Sequence, residues 1–418
     1  MLFCYNQILT FLFKGNFMRH ANQNPNNSRL FLLLNLAAIS AFGPFITDFY
    51  LPALPSMENV FNATTTQIQL TITCSLIGLA LGQLLIGPLS DKFGRKPILL
   101  VSFVVFIIAT IGCLLSNEIY VFIFFRLLQG IAGSGGVVAS RSIVADLFKG
   151  EDLAKFFAML GAIHGLAPIC APLLGGLMLK WTDWHGVFVI LLAIGIVLLF
   201  VNLFFKESLR VENRSKGSIL QSFRYGKILK NRKFMDCVFA QSFAMGALFS
   251  FIASSSFIFQ KHFGVSELTY SMLFAGVAVG TAFGASITPL LKSRRRALKV
   301  GILGLTAMGL VLFVLLNLRV HFLLLEAGFF ATMAFLGFIM PTSTALAMEI
   351  ERENAGSASA VLGFGIFFVG GIVSPLTGLG SDIFLSTSLV IVGCIICAVI
   401  FGTRVVRGFD LQCESNKN

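Results

Sequence analysis

Apolar residues run in blocks long enough to cross a lipid bilayer, and short polar breaks separate twelve of them. A helix needs about 20 apolar residues for that crossing. The blocks fall at residues 30–50, 67–88, 97–115, 119–148, 156–180, 186–205, 234–260, 270–291, 300–318, 322–348, 357–380 and 383–401. Each predicts a transmembrane helix, and the gaps are too short for a soluble domain. The longest polar interruption lies at mid-chain and splits the helices six and six. The chain thus divides into a tail (1–29), a six-helix bundle (30–205), a basic linker (206–233), a second bundle (234–401) and a final tail (402–418). Within the linker, SILQSFRYGKILKNRKF suits either a helix lying on the membrane surface or a solvated connector. A polar run after Met18 leads directly into the first block, so translation starting at Met18 gives an ordinary tail and makes residues 1–17 dispensable.

Composition agrees with this pattern: 56% of residues are hydrophobic and 12% charged, with a mean hydropathy of +0.87. An all-α integral membrane protein is predicted. Charge adds orientation. An even number of spans puts both termini on one side, and the loops there carry Lys92, Arg95, Lys96, Lys149, Lys155, the linker cations, Lys292 and Arg294–Arg296. The opposite loops carry Lys180, Lys261 and Arg319. The positive-inside bias therefore places both termini in the cytoplasm, and it explains the net charge of +12 without nucleic acid. The eight cysteines scatter mostly through apolar blocks, and Cys394-Ile-Ile-Cys397 has no basic neighbour to activate a thiolate.

The halves echo each other. Pro88-Leu89 returns as Pro289-Leu290, 201 residues on; Gly78 and Gly82 return as Gly280 and Gly284, 202 on; Pro172-Leu-Leu-Gly175 returns as Pro375-Leu-Thr-Gly378, 203 on. Three near-equal offsets predict a six-helix unit duplicated in tandem, an arrangement that suits a transporter with its site between the repeats. Small faces on helix 5 (Gly161, Gly165, Pro168, Pro172, Gly175) and helix 8 (Gly276, Gly280, Gly284) predict close helix contact there. Helix 2 (Gly78, Gly82) and helix 11 (Gly363, Gly370, Ser374, Gly378) form the matching pair.

The turn after helix 2 reads Gly87-Pro-Leu-Ser-Asp91-Lys-Phe-Gly94-Arg95-Lys-Pro97, and helix 4 contains Arg126-Leu-Leu-Gln129-Gly130. Helix 5 contains Gly165-Leu-Ala-Pro168-Ile-Cys-Ala-Pro172-Leu-Leu-Gly175-Gly176. These stretches resemble the loop 2–3 signature, the helix 4 motif and the exporter motif of the major facilitator superfamily. Asp48-Phe-Tyr-Leu-Pro-Ala-Leu-Pro55, WTDWHGVF and FIASSSFIFQKHFGVSELTY narrow the resemblance to the Bcr/CflA branch of drug:proton antiporters. It covers nearly all of residues 30–400. Two positions depart from that branch: His185 stands where Arg usually follows Trp184, and Lys292 stands where a second copy of the loop motif would place Asp. The resemblance implies the major facilitator fold, a proton-binding acid at Asp48, and a charge relay among Asp91, Arg95 and Asp146, with Arg141 a turn away.

A carboxylate at membrane depth is costly and seldom accidental. Asp48, late in helix 1, is the candidate proton carrier; capping the helix end before Pro52 is the competing role. Arg126, at comparable depth in helix 4, is expected to act on Asp48 or on water near Gln129, or else to fix helix 4 to a backbone carbonyl. Glu326 in helix 10 suits an interfacial position, a second proton or a cationic substrate. Asp236 meets the N-terminal end of helix 7 and is read as structural. An apolar, aromatic substrate cavity is expected from Tyr50, Gln129, Gln241, Phe243, Met245 and Phe249.

In the turn, Gly87 and Gly94 permit a tight reversal. Asp91 is expected to face the start of helix 11 near Gly356, and Arg95 to reach Asp146. Those contacts form a cytoplasmic gate that latches one state and breaks in the other. No nucleophile motif, metal-ligand cluster or phosphate loop appears, which argues against an enzyme and against direct ATP use. The expected activity is export of small, largely apolar compounds, similar to bicyclomycin, chloramphenicol or sulfonamide efflux, across an inner membrane by alternating access. It needs no cofactor beyond the proton motive force and is expected of a monomer. A metabolite exporter (amino acid, siderophore or polyamine) and a non-transporting membrane sensor are the competing functions.

Overall fold

Every apolar block folds as a helix, because lipid leaves backbone N–H and C=O groups no partner except each other. The computed structural model describes residues 27–215, 225–291 and 293–415, and among them there is no strand. The Met18 start, linker residues 216–224 and Lys292 lie outside the described residues. The twelve spans are α1 (Arg29–Phe61), α2 (Thr65–Phe93), α3 (Arg95–Leu114), α4 (Ile119–Leu147), α5 (Gly150–Met178) and α6 (Trp184–Phe204) in the first half. The second half holds α7 (Arg232–His262), α8 (Glu267–Leu290), α9 (Arg294–Asn317), α10 (Phe322–Ile350), α11 (Ala355–Leu376) and α12 (Ile383–Arg407).

Local chemistry sets the ends. Thr64 and Gln67 close a capping box at the start of α2, and Ser266 caps α8 through the Thr269 amide at 3.2 Å. Several helices outrun their apolar blocks. The α9 helix begins at Arg294 rather than at residue 300, because long basic side chains can leave a helix end for water. The first span continues to Phe61, with a break: its α-helix stops at Asp48, and Leu51–Ala53 form a 3-10 turn. Pro52 enforces that break, having no N–H to give the carbonyl four residues back.

Within the halves, α2 packs on α4 and α8 on α10; between halves, α2 packs on α11 and α5 on α8. The expected helix pairs are present, but two of the small faces serve a different contact. Gly78 abuts the Leu127 carbonyl and Gly130 on α4, and Gly82 abuts Ser134. Gly280 and Gly284 abut Phe330 and the Ala334 carbonyl on α10. These glycines bind each half together. The interface between halves uses Gly176 against Ser271 and the Glu267 carbonyl, and Gly363, Gly371 and Gly378 against Gln83, Ile77 and Gln69. The sequence could not separate these roles, because α2 carries glycines on one face and Gln69, Ile77 and Gln83 on another.

That division has a measurable consequence. A side chain at Gly78 collides with backbone, which cannot yield, so Gly78→Val is expected to cost more than the ~1–3 kcal/mol typical of overpacking and to abolish the monodisperse peak on size exclusion. Gly378→Val meets only the Gln69 amide and is expected to keep that peak. Equal loss in both variants would contradict the assignment.

The face bearing the α2–α3 turn and the linker is the basic face; the other is the distal face. On the distal face the halves are tied together. Thr66 donates to the Gly378 carbonyl at 2.7 Å, and Gln69 donates to the Ala253 carbonyl at 3.1 Å and to Thr377 at 3.0 Å. Gln260 donates to the Pro52 carbonyl at 3.1 Å, and Lys261 pairs with Glu58 at 2.7 Å. Toward the basic face, Gly87, Gly161, Gly165 and Gly356 have no neighbour within 4 Å of a would-be Cβ. Among the described residues the halves are tied together distally and lie open at these positions toward the basic face.

Candidate functional site

The break in α1 builds the site. An α-helix leaves its last carbonyls without backbone donors, and the Ile46 carbonyl receives Arg126 of α4 at 3.0 Å. Arg126 has no exposed surface. It also donates to Gln129 and lies over the Tyr50 ring, 4.2 Å from its centroid. Gln129 donates to Thr110 at 2.8 Å, and the Tyr50 hydroxyl meets Thr71 at 3.0 Å. A guanidinium keeps its charge and suits such stacked, forked contacts.

Asp48 is two residues beyond Ile46, about 200° around the helix. It therefore points away from Arg126, and the expected Asp48–Arg126 contact is absent. Of the roles set out for Arg126, the contact formed is the one to a backbone carbonyl. Asp48 is 4% exposed and forms no ion pair among the described residues. It lies toward the second half, within electrostatic reach of Tyr270 on α8. Tyr270 is fully buried, meets Ser255 at 3.0 Å and also feels Glu326. Glu326 is turned against α8 at Gly276, with one carboxylate oxygen buried and lacking a hydrogen-bond partner. Asp236 stands 3.9 Å from Arg404 of α12, in keeping with a structural role.

The six residues expected to line a substrate cavity do not converge. Tyr50 and Gln129 are buried inside the first half, where they hold Arg126. Gln241 accepts a hydrogen bond from Thr344 of α10 at 3.1 Å. Phe243 stacks on Phe401 of α12, away from the other half. Phe249 packs against Gly370 and Phe367 of α11, and Met245 is half-buried. Phe residues number 45, so aromatic character alone could not mark a cavity.

On the basic face, Arg95 is 6% exposed. It donates to Asp146 at 2.8 Å, to Ser90 at 2.8 Å and to Asp91. Three of the expected gate residues thus meet. Arg141 takes no part in this cluster: it lies five residues before Asp146, on another side of α4, beside His164 of α5. Asp91 is turned to Arg95, its side chain 53% exposed, and Gly356 at the start of α11 has no neighbour. Among the described residues the Asp91–α11 contact is not made. The exporter-motif residues divide in the same way: Gly175 and Gly176 are packed distally, Pro168 and Pro172 lie between, and Gly165 is open.

Sequence reasoning missed Glu207 and Ser208. Glu207 accepts from the amides of Arg95 at 3.0 Å and Lys96 at 3.2 Å, capping α3. Ser208 donates to Asp146 at 3.1 Å, and the Ser215 amide reaches the Asp91 carbonyl at 3.0 Å. The start of the linker thus holds the turn. An acid two residues past the apolar block ending at residue 205 was the available signal. Removing the Asp146 charge leaves Arg95 buried with only the half-exposed Asp91 to balance it. Asp146→Asn is expected to slow transport about tenfold or more while substrate affinity of the purified protein stays near wild type; lost affinity with normal turnover would contradict the gate.

The sequence profile of the Major Facilitator Superfamily matches residues 33–375. A Bacillus subtilis protein described as the uncharacterized MFS-type transporter YdgK is 34% identical, across 92% of this chain and 95% of its own length. The bicyclomycin resistance protein homolog of Haemophilus influenzae is 29% identical, across 84% of this chain and 90% of its own. Among solved structures, a bacterial homolog of the human lysosomal transporter Spinster, in an inward-facing and occupied conformation, superposes with a TM-score of 0.67 at 16% identity. That alignment covers 94% of this chain and 97% of the other.

Proposed function

This chain belongs to the major facilitator superfamily, and on that premise we propose that it exports small, largely apolar compounds in exchange for protons across a bacterial inner membrane. Its basic face lies in the cytoplasm, by the bias of Lys and Arg to that side. One observation carries the reading: the Asp48 carboxyl is buried where the halves close distally, with no cation to balance it among the described residues. A charge sealed there is costly. The closed distal side accordingly tolerates the neutral acid, and proton loss favours opening.

The cycle follows from that cost. Facing outward, Asp48 takes a proton from the acidic side and cargo leaves. The distal contacts around Pro52, Glu58 and Gln69 then form, and the protein opens to the cytoplasm, where cargo enters and the proton departs. Arg126 holds the broken end of α1 while Asp48 changes charge. The Arg95 cluster and linker keep the α2–α3 turn rigid, so that Asp91 can meet α11 when the cytoplasmic side closes. The resistance name of the Haemophilus influenzae relative supports a drug as cargo.

Expression in an efflux-deficient bacterial host tests the function. Raised tolerance to bicyclomycin, lost on collapsing the proton gradient, is the expected result. Unchanged tolerance with a new metabolite in the medium would replace drug export by metabolite export.

A further inference from the structure

Arg141 is a cation at membrane depth with no acid beside it. It forms no hydrogen bond or ion pair among the described residues, although charged side chains in spans are nearly always paired. Its titratable neighbour is His164 of α5, within reach of its charge, and the His164 ring meets the buried Ser40 hydroxyl of α1 at 3.0 Å. Tight contacts hold α1 and α4 together at this level: Gly136 abuts the Ile39 carbonyl, and a Cβ at Gly43 would lie 2.8 Å from Val137.

Side chains lean toward the N-terminus of their own helix. Arg141 therefore reaches from α4 toward the membrane centre, and His164 leans from α5 toward the same level, within reach of its charge. Beside His164, Gly161 and Gly165 have open space within 4 Å. Gly165 lies three turns before Gly176, on the same face of α5, and Gly176 is where that face packs on Ser271 of α8. The open space is thus the gap between the halves. The part-exposed side chains at this level are a guanidinium and an imidazole, with the buried Ser40 hydroxyl behind the imidazole; Asp146 is taken by Arg95, and Asp48 lies at the distal end.

We infer that Arg141 and His164, the latter held by Ser40, form the seat for an oxyanion of the cargo, so that the preferred substrates are apolar bodies carrying one carboxylate. This rests on the exporter reading for its cargo, but not for its chemistry. A carboxylate placed there receives the charge-assisted hydrogen bonds that the protein leaves unmade.

Full-length protein in phosphatidylcholine nanodiscs is titrated with dansylglycine and with its neutral amide, dansylglycinamide. The acid is expected to bind about tenfold tighter. Arg141→Gln brings the ratio near one, Arg141→Lys retains part of it, and His164→Asn reduces it. A ratio near one in the wild type, or a wild-type ratio in Arg141→Gln, overturns the seat. Loss of the preference when phosphatidylglycerol is added assigns the seat to a lipid headgroup instead and equally overturns it. Failure of bicyclomycin tolerance with the acid preference intact removes the exporter reading and leaves the seat; the reverse removes the seat alone.

Discussion

Proteoliposomes carrying Asp48→Asn are expected to lose substrate accumulation driven by a pH gradient and to retain substrate–substrate exchange. Asn matches Asp in shape and is neutral, so the distal closure around this position survives. What disappears is the alternation of charge that makes the closed state depend on the proton. Asp48 is 4% exposed and unpaired by any cation among the described residues, so its charge is left unbalanced when the distal side is closed. Cargo then equilibrates and no longer concentrates. Gradient-driven accumulation equal to wild type would remove Asp48 from the coupling.

Arg126→Lys is expected to be the most destabilising of the conservative changes. The guanidinium fills three places at once: the Ile46 carbonyl at 3.0 Å, the Gln129 side chain and the Tyr50 ring at 4.2 Å. An ammonium cannot fill all three from one stem. Losing one buried charge-assisted contact costs on the order of 2–3 kcal/mol, which in a protein of this size lowers Tm by roughly 2–4 °C. Tyr50 separates ring from hydroxyl. Tyr50→Phe gives up only the 3.0 Å contact with Thr71 and should melt close to wild type, whereas Tyr50→Leu removes the ring and should follow Arg126→Lys. A wild-type melting curve for Arg126→Lys would mean that Arg126 does not hold the end of α1.

The two variants show how far the sequence reached. Twelve spans were legible because lipid demands long apolar runs, and Asp48 stood out because a charge inside such a run needs a reason. The α2–α3 turn was legible as a cluster, and Arg95 does meet Asp91 and Asp146. The rotation of α1 was not legible. Whether Arg126 meets Asp48 or the Ile46 carbonyl depends on 200° of helix turn, and hydropathy in a span apolar on every side does not report it. The same ambiguity hid which way Gly78 and Gly284 face. Glu207 escaped notice because its partners are backbone amides at the start of α3, which leave no mark in side-chain patterns. Arg141 and His164 lie 23 positions apart on adjacent helices, and only packing shows that neither has an acid to balance it.

Proton release on substrate binding tests the central claim most directly. Bicyclomycin is added to purified protein in weakly buffered detergent solution, and the pH change is followed with an indicator dye. The account predicts release from the wild type and none from Asp48→Asn at saturating substrate. Equal release from both proteins, or none from a wild type that binds bicyclomycin, would contradict it.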